Sequence, residues 1–391
     1  MSDRKCSFWA CLAHTILAVA VLTVSEGVLA DDQRHDQRPF LDRFDAVNLI
    51  ASTVPGNGDV NPYGIVVVSE SVGSLKSGDI LISNFNNANN LQGTGTTIVQ
   101  VSRSGEVSLF AEIDPNTLAG QCPGGVGLTT ALTVLRRGWV IVGSLPTTNG
   151  MSPTAGAGCL IVLNSDGQVV ETFSGGGING PWDMTSLDDK DRAWLFVTNV
   201  LNGNVTVGPP HKVNEGTVLR IELQVPKQGQ GMPALGPTTE IGSGFAETAD
   251  PNALIIGPTG VGLADDGTLY VADTLNSRIA AIPRALTRQT TAFIGVEVSS
   301  NGALNGPLGL AIAPNGHIIT ANAGDGNLVE TAPSGSQVAV KTVETATGAG
   351  SLFGIAIERD GRGVYFVDDG DNTVKVIEEE DTPEGDGEDN D

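Results

Sequence analysis

The sequence predicts an all-β fold, a six-bladed β-propeller closed by an N-terminal outer strand. Three observations predict it. A start of the form Gly-Pro-x-Gly-apolar, in strict or loose form, recurs six times along the chain. Each recurrence opens a run of short apolar strands separated by Gly, Asp and Asn turns. The sixth run lacks its last strand, while an unclaimed strand precedes the first.

Composition agrees. The 391 residues include 51 Gly and 20 Pro, and only 17% are charged. Such a chain favours many short elements over long helices.

From the N-terminus, residues 1–30 read as a cleaved secretory signal. Arg4 and Lys5 precede the apolar run Ala10 to Val24, and "VLA" ends at Ala30 with small residues suited to cleavage. The run is shorter than the roughly 20 residues a membrane span needs. No later segment is long and apolar enough to span, so the mature chain is expected to be secreted or periplasmic. Residues 31–44 form a linker and residues 45–377 the propeller.

The six starts are "NPYGI" at Asn61, "GGVGL" at Gly124, "GPWDM" at Gly180, "GPTGV" at Gly257, "GPLGL" at Gly306 and "SLFGI" at Ser351. Each is followed by a second strand ending in a polar residue: Asn84, Ser144, Asn199, Asp273, Asn322 and Asp368. A third strand follows, such as "CLIVLN" or "TVKVIE", and in five units a fourth. Four-stranded units of this kind close radially, with the first strand at the central channel. "DAVNLIAST", Asp45 to Thr53, supplies the missing outer strand of blade six.

Residues 378–391 carry nine acids and no base, and are expected to be a disordered acidic tail. The whole chain has a net charge of −24. That excludes a nucleic-acid partner, which needs clustered Lys and Arg.

Removal of the signal leaves Cys122 and Cys159. The first lies in the connection leading into blade two, and the second opens that blade's third strand. Both fall on one face, so a disulfide between them is expected to pin two long loops. The long insertions Asn84 to Gly95, Leu145 to Gly158 and Val200 to Gly216 share that face. Loops on a rigid scaffold are where binding usually resides.

"GPTGV" followed by "DGTLYVADTLNSRI" resembles the NHL repeat, and residues 45–377 resemble secreted NHL and TolB-like six-bladed propellers. The chain is more distantly similar to the gluconolactonase-like propellers. That resemblance implies a divalent metal held at the x of Pro-x-Gly. Here those positions are Tyr63, Val126, Trp182, Thr259, Leu308 and Phe353, none a carboxylate or amide. Lyase-type propellers, which this chain also resembles, rely on channel histidines. His35, His211 and His317 cannot converge in this topology, so neither a zinc site nor a Ser/His/Asp triad is expected.

The remaining candidate is the channel mouth. Tyr63, Trp182 and Phe353 give it an apolar-aromatic wall, Asp183 and Thr259 are its polar points, and Asn84, Asn199, Asp273, Asn322 and Asp368 surround it. These side chains either bind a ligand or plug the channel. The expected function is an exported, monomeric, non-enzymatic scaffold that binds a protein, peptide or small ligand through the long-loop face. The alternative is a metal-dependent hydrolase, lactonase or lyase with its site at the mouth, calcium being the metal. No catalytic residue and no metal ligand is assigned.

Overall fold

Continuous apolar runs mark strands covered on both faces, and the middle strands of every unit are such runs. In the computed structural model, which describes residues 38–345 and 351–380, Ile80–Asn86, Thr97–Val101, Val140–Ser144, Cys159–Leu163, Leu269–Asp273 and Arg278–Ile282 are buried throughout. Outer strands such as Val107–Glu112 and Gln337–Thr342 are largely exposed, because they lie on the rim.

The strands form six antiparallel sheets. Blade one is Val60–Val67, Ile80–Asn86, Thr97–Val101 and Val107–Glu112, and blade two Leu128–Val134, Val140–Ser144, Cys159–Leu163 and Val169–Phe173. Blade four is Pro258–Leu263, Leu269–Asp273, Arg278–Ile282 and Val296–Ser300, and blade five Pro307–Ile312, Ile318–Asn322, Asn327–Thr331 and Gln337–Thr342. Inner strands of successive blades touch in order, and blade six returns to blade one. Blade six is Leu352–Ile357, Gly363–Asp368 and Thr373–Glu378, completed by Ala46–Ser52 from the other end of the chain. The expected closure is therefore present.

Each seam between blades has its own apolar core. Ile141 and Leu160 of blade two face Leu195 and Leu219 of blade three, and Phe196 and Val218 of blade three face Val271 and Ile282 of blade four. The recurrent glycine explains how the inner strands come so close. A Cβ at Gly260 would lie 2.3 Å from the Leu308 oxygen, one at Gly309 2.2 Å from the Phe353 oxygen, and one at Gly354 2.4 Å from the Tyr63 oxygen. Each motif glycine thus lets the next blade's carbonyl approach.

Blade three departs from the pattern. Its strands are Gly180–Asp189, Arg192–Val200, Val213–Gln224 and the long Ala234–Asp250, followed by a fifth, Leu254–Ile256. The end of Ala234–Asp250 pairs with that fifth strand as a hairpin. Asp250 Oδ1 accepts the N–H of Asn252 (2.7 Å) and of Ala253 (3.1 Å), which sets the turn.

Cys122 and Cys159 are disulfide-bonded, with Cα atoms 5.2 Å apart. The end of the 31–44 linker packs on blades five and six through Phe40, Leu41 and Phe44. Buried Glu330 accepts the backbone N–H groups of Phe40 and Leu41, both at 2.8 Å. The signal segment and residues 381–391 of the acidic tail lie outside the described residues. Among the described residues no helix is long and apolar enough to cross a membrane.

Candidate functional site

The x of Pro-x-Gly brings the aromatic side chains of blades one, three and six together at the axis. Tyr63 of blade one stacks on Phe353 of blade six at 3.8 Å between ring centroids and on Phe85 at 4.5 Å. Trp182 of blade three lies 6.4 Å from Tyr63 and 6.3 Å from Phe353. Leu308 is buried in the same cluster and Thr259 is fully buried, whereas Val126 packs in the seam between blades one and two.

The blade-three hairpin covers this stack. Ala253, Leu254 and Ile255 are buried against it. Trp182 Nε1 donates to the Ile255 carbonyl (3.0 Å), Tyr63 Oη to the Asn252 carbonyl (3.4 Å) and Gln92 Nε2 to the Pro251 carbonyl (2.6 Å). The aromatic groups therefore plug the channel, and their polar atoms meet the backbone that caps it.

The polar ring does not line the mouth. Asn84, Asn199, Asp273, Asn322 and Asp368 are fully buried and bonded within the framework. Asn199 Oδ1 accepts the N–H of Asn179 and Gly180, both at 3.0 Å, and its Nδ2 donates to the Gly177 carbonyl (2.7 Å). Asn322 Nδ2 donates to the Ala303 carbonyl (2.7 Å), and Asn84 Nδ2 to the Thr53 carbonyl (3.0 Å). Each ties the end of a second strand to the connection that enters its blade. Asp273 holds Arg278 (2.8 Å) and Asn276 (3.0 Å). Asp368 shares Lys375 with Glu344 and Asp371, at 2.6, 3.0 and 2.8 Å.

Asp183 stands where five blades have glycine, and the structure sets it on the far side of the plug from the hairpin. The register shift between Pro181 and Asp183 also spans the matching glycine in blades one, four, five and six. Its carboxylate crosses the seam: Oδ2 accepts the Val261 N–H of blade four (3.2 Å), while Oδ1 accepts that of Met184 (2.7 Å). Burial pushes this carboxyl up to about 8, against the opposing pull of those two N–H groups.

Beside the plug, on the long-loop face, lies a cavity of about 620 Å³. Asn61, Asn86, Asn90 and Gln92 of blade one, Pro251 and Asn252 of the hairpin, and Asp369 and Asn372 of blade six line it. Asn61, Asn90 and Asn372 have φ of 68°, 56° and 58°, a left-handed conformation that Asn tolerates best among residues with a Cβ. Asn372 Oδ1 accepts the Asn61 N–H at 2.7 Å and locks two of these turns together. Asn86 Nδ2 donates to Asn90 Oδ1 (2.6 Å), but Asn86 Oδ1 and Gln92 Oε1 are buried without a donor. Asp369 is half-buried, and among the described residues no side chain or N–H donates to its carboxyl. Burial first, and then the charges of Asp368 and Asp371, push it up to about 8. The cavity thus collects acceptors that lack donors.

No known family profile matches the chain, and no curated protein does. Solved structures do, at the level of fold. One, provisionally named a gluconolactonase, has 16% identity and a TM-score of 0.50, covering 88% of this chain and 96% of its own. A calcium-binding regucalcin from Agrobacterium tumefaciens has 12% identity and a TM-score of 0.50, covering 84% of this chain and 93% of its own. A luciferin-regenerating enzyme has 10% identity and a TM-score of 0.52, covering 85% of this chain and 95% of its own. The six-bladed propeller is what the chain shares with them, and identities this low carry fold alone.

The sequence reading did not single out the hairpin or Asp369. The signals were present: Asp250-Pro251-Asn252 is a turn sequence followed by "ALII", and Asp369 follows the framework acid Asp368 directly. Neither repeats in other blades, so a search for repeats passes over both.

Proposed function

We propose that the protein acts on a small, hydroxyl-rich molecule in the pocket between Asn61, Asn86, Gln92 and Asp369, as a hydrolase of ester or lactone type. One observation carries this reading: the unpartnered Asp369 carboxyl shares a cavity with two buried amide oxygens that lack donors. Such acceptors call for a ligand rich in hydroxyl or ammonium donors. At neutral pH the acid form of Asp369 is a proton donor in the range that general acid catalysis uses. As water adds to the acyl carbon and the acyl–oxygen bond breaks, the Asp369 proton passes to the leaving oxygen, and the proton that the added water loses returns to the Asp369 carboxylate.

Structures of similar fold are named for small-molecule chemistry, which supports an enzyme over a docking scaffold. A neighbour that binds calcium raises a metal, but the axial positions do not fit one. They carry no carboxylate or amide, the Tyr63 hydroxyl donates to the Asn252 carbonyl, and the Thr259 hydroxyl already meets Thr274 Oγ1 at 2.6 Å. No step is routed through an ion here. Export belongs to the same reading, supported by the disulfide, which persists in oxidising compartments. So does action as a monomer on a small molecule.

Turnover of a panel of sugar lactones and nitrophenyl esters, with and without a chelator, tests the reading. Asp369→Asn is expected to lower kcat about 100-fold while ligand still binds. Asn86→Ala and Gln92→Ala are expected to raise KM. Unchanged turnover in Asp369→Asn overturns the reading. So does a complete absence of turnover and binding across the panel, which returns the long-loop face to the scaffold role.

A further inference from the structure

Below the aromatic plug the channel opens on the face opposite the long loops, as a cavity of about 410 Å³. Its walls are the later halves of the inner strands, which run from the plug toward the turns between first and second strands. Val67, Leu132, Leu263, Ile312 and Ile357 make these walls aliphatic. Val67, Leu263, Ile312 and Ile357 are only partly buried, each packed on one side against a seam core. A concave site that combines aliphatic wall residues with placed polar groups is a usual form of a small-molecule site.

Its polar side chains are Ser69 after the first strand of blade one, Thr130 and Thr133 of blade two, and Asp183, Thr185 and Ser186 of blade three. Asp183 is the sole titratable side chain among the lining residues. It replaces the motif glycine in blade three alone, so the repeat does not require it. Thr130 of blade two is 3% exposed, and its Oγ1 has no partner. On the same wall, Thr133 Oγ1 meets Ser186 Oγ at 2.7 Å. A buried hydroxyl without a partner costs free energy unless something else supplies one.

We propose that this lower channel is a second binding site, separate from the Asp369 pocket, for a neutral molecule with an aliphatic body and a carbonyl head, held by the Asp183 carboxyl and the Thr130 hydroxyl. Both Asp183 oxygens already accept backbone N–H groups, so what the acid form adds is its O–H. That proton is donated to the carbonyl oxygen of the ligand. Burial holds the acid form up to about pH 8, which matches the need for a donor there. The aliphatic tail lies against the walls toward the open end. The aromatic plug separates the two sites, so a ligand cannot pass between them.

Calorimetry with 2-octanone as the probe, and octane as the control lacking an acceptor, tests this. The ketone is expected to bind at pH 6 at least about tenfold more tightly than the hydrocarbon. Thr130→Val, nearly isosteric, should weaken ketone binding about three- to tenfold without changing octane binding. Asp183→Ala should abolish the difference between the two probes. Ala356→Trp, at the open end, should block both while activity at the Asp369 pocket is unchanged. Above pH 9 the preference for ketone should fall as Asp183 ionises. Equal affinity for ketone and hydrocarbon, a full preference retained in Thr130→Val, or no binding of either probe overturns the proposal.

Discussion

Trp182 donates its indole N–H to the carbonyl of Ile255 at 3.0 Å, joining the inner strand of blade three to the hairpin that covers the axis. The two residues lie 73 positions apart in the same blade. One blade thus supplies both the largest ring of the plug and the backbone that caps it.

Trp182→Phe keeps most of the packing but leaves the Ile255 carbonyl without its donor. It is expected to cost about 1–3 kcal/mol, and Trp182→Ala about 3–5 kcal/mol. Urea unfolding measures both. Two variants within error of the wild type would show that the hairpin is held by other contacts.

Gly309→Ala places a Cβ 2.2 Å from the Phe353 oxygen, where an inner strand of the next blade cannot retreat. A loss of about 1–3 kcal/mol or more is expected. Gly56→Ala is the control, since nothing lies within 4 Å of its Cβ. Similar melting temperatures for the two would remove the steric account of the repeated glycine.

The Cys122–Cys159 bridge closes a span of 37 residues. Loop entropy puts its contribution at about 3–4 kcal/mol. In the chain without residues 1–30, no thiol should react with a maleimide until reductant is added. Cys122→Ser with Cys159→Ser should lower the urea midpoint accordingly, and labelling before reduction would contradict the pairing.

Burial raises Asp183 and Asp369 to about 8 and Glu247 to about 7. Unfolded, such acids ionise near pH 4. Between about pH 4 and 8 the folded chain therefore holds more protons than the unfolded one, and rising pH favours unfolding. Each group contributes a slope of at most about 1.4 kcal/mol per pH unit. Stability should fall from pH 5 to pH 8, and Asp183→Asn should flatten the decline. A stability that rises over that range would contradict these burials.

Much of the architecture was legible because it repeats. "LYVAD", "HIITAN" and "VYFVD" recur with the same polar end, and that end is a framework bond in each blade where Asn84, Asn199 or Asn322 meets a neighbouring carbonyl. The Cys122–Cys159 bridge followed from the same register. The candidate site was less legible. Asp183 stood out as a break in the glycine column, but its side of the plug depends on where the aromatic rings stack.

The sequence by itself determined the number of blades, the closing strand and the strand order, because turn chemistry and apolar periodicity act over short range and repeat six times. Only the tertiary structure decided where a ligand has room. The Asp369 pocket joins blade one, blade six and the blade-three hairpin, segments that lie far apart in the chain and repeat nowhere else. Its acceptors become unpaired only once the ring closes and the hairpin crosses the axis, and no local pattern encodes that approach.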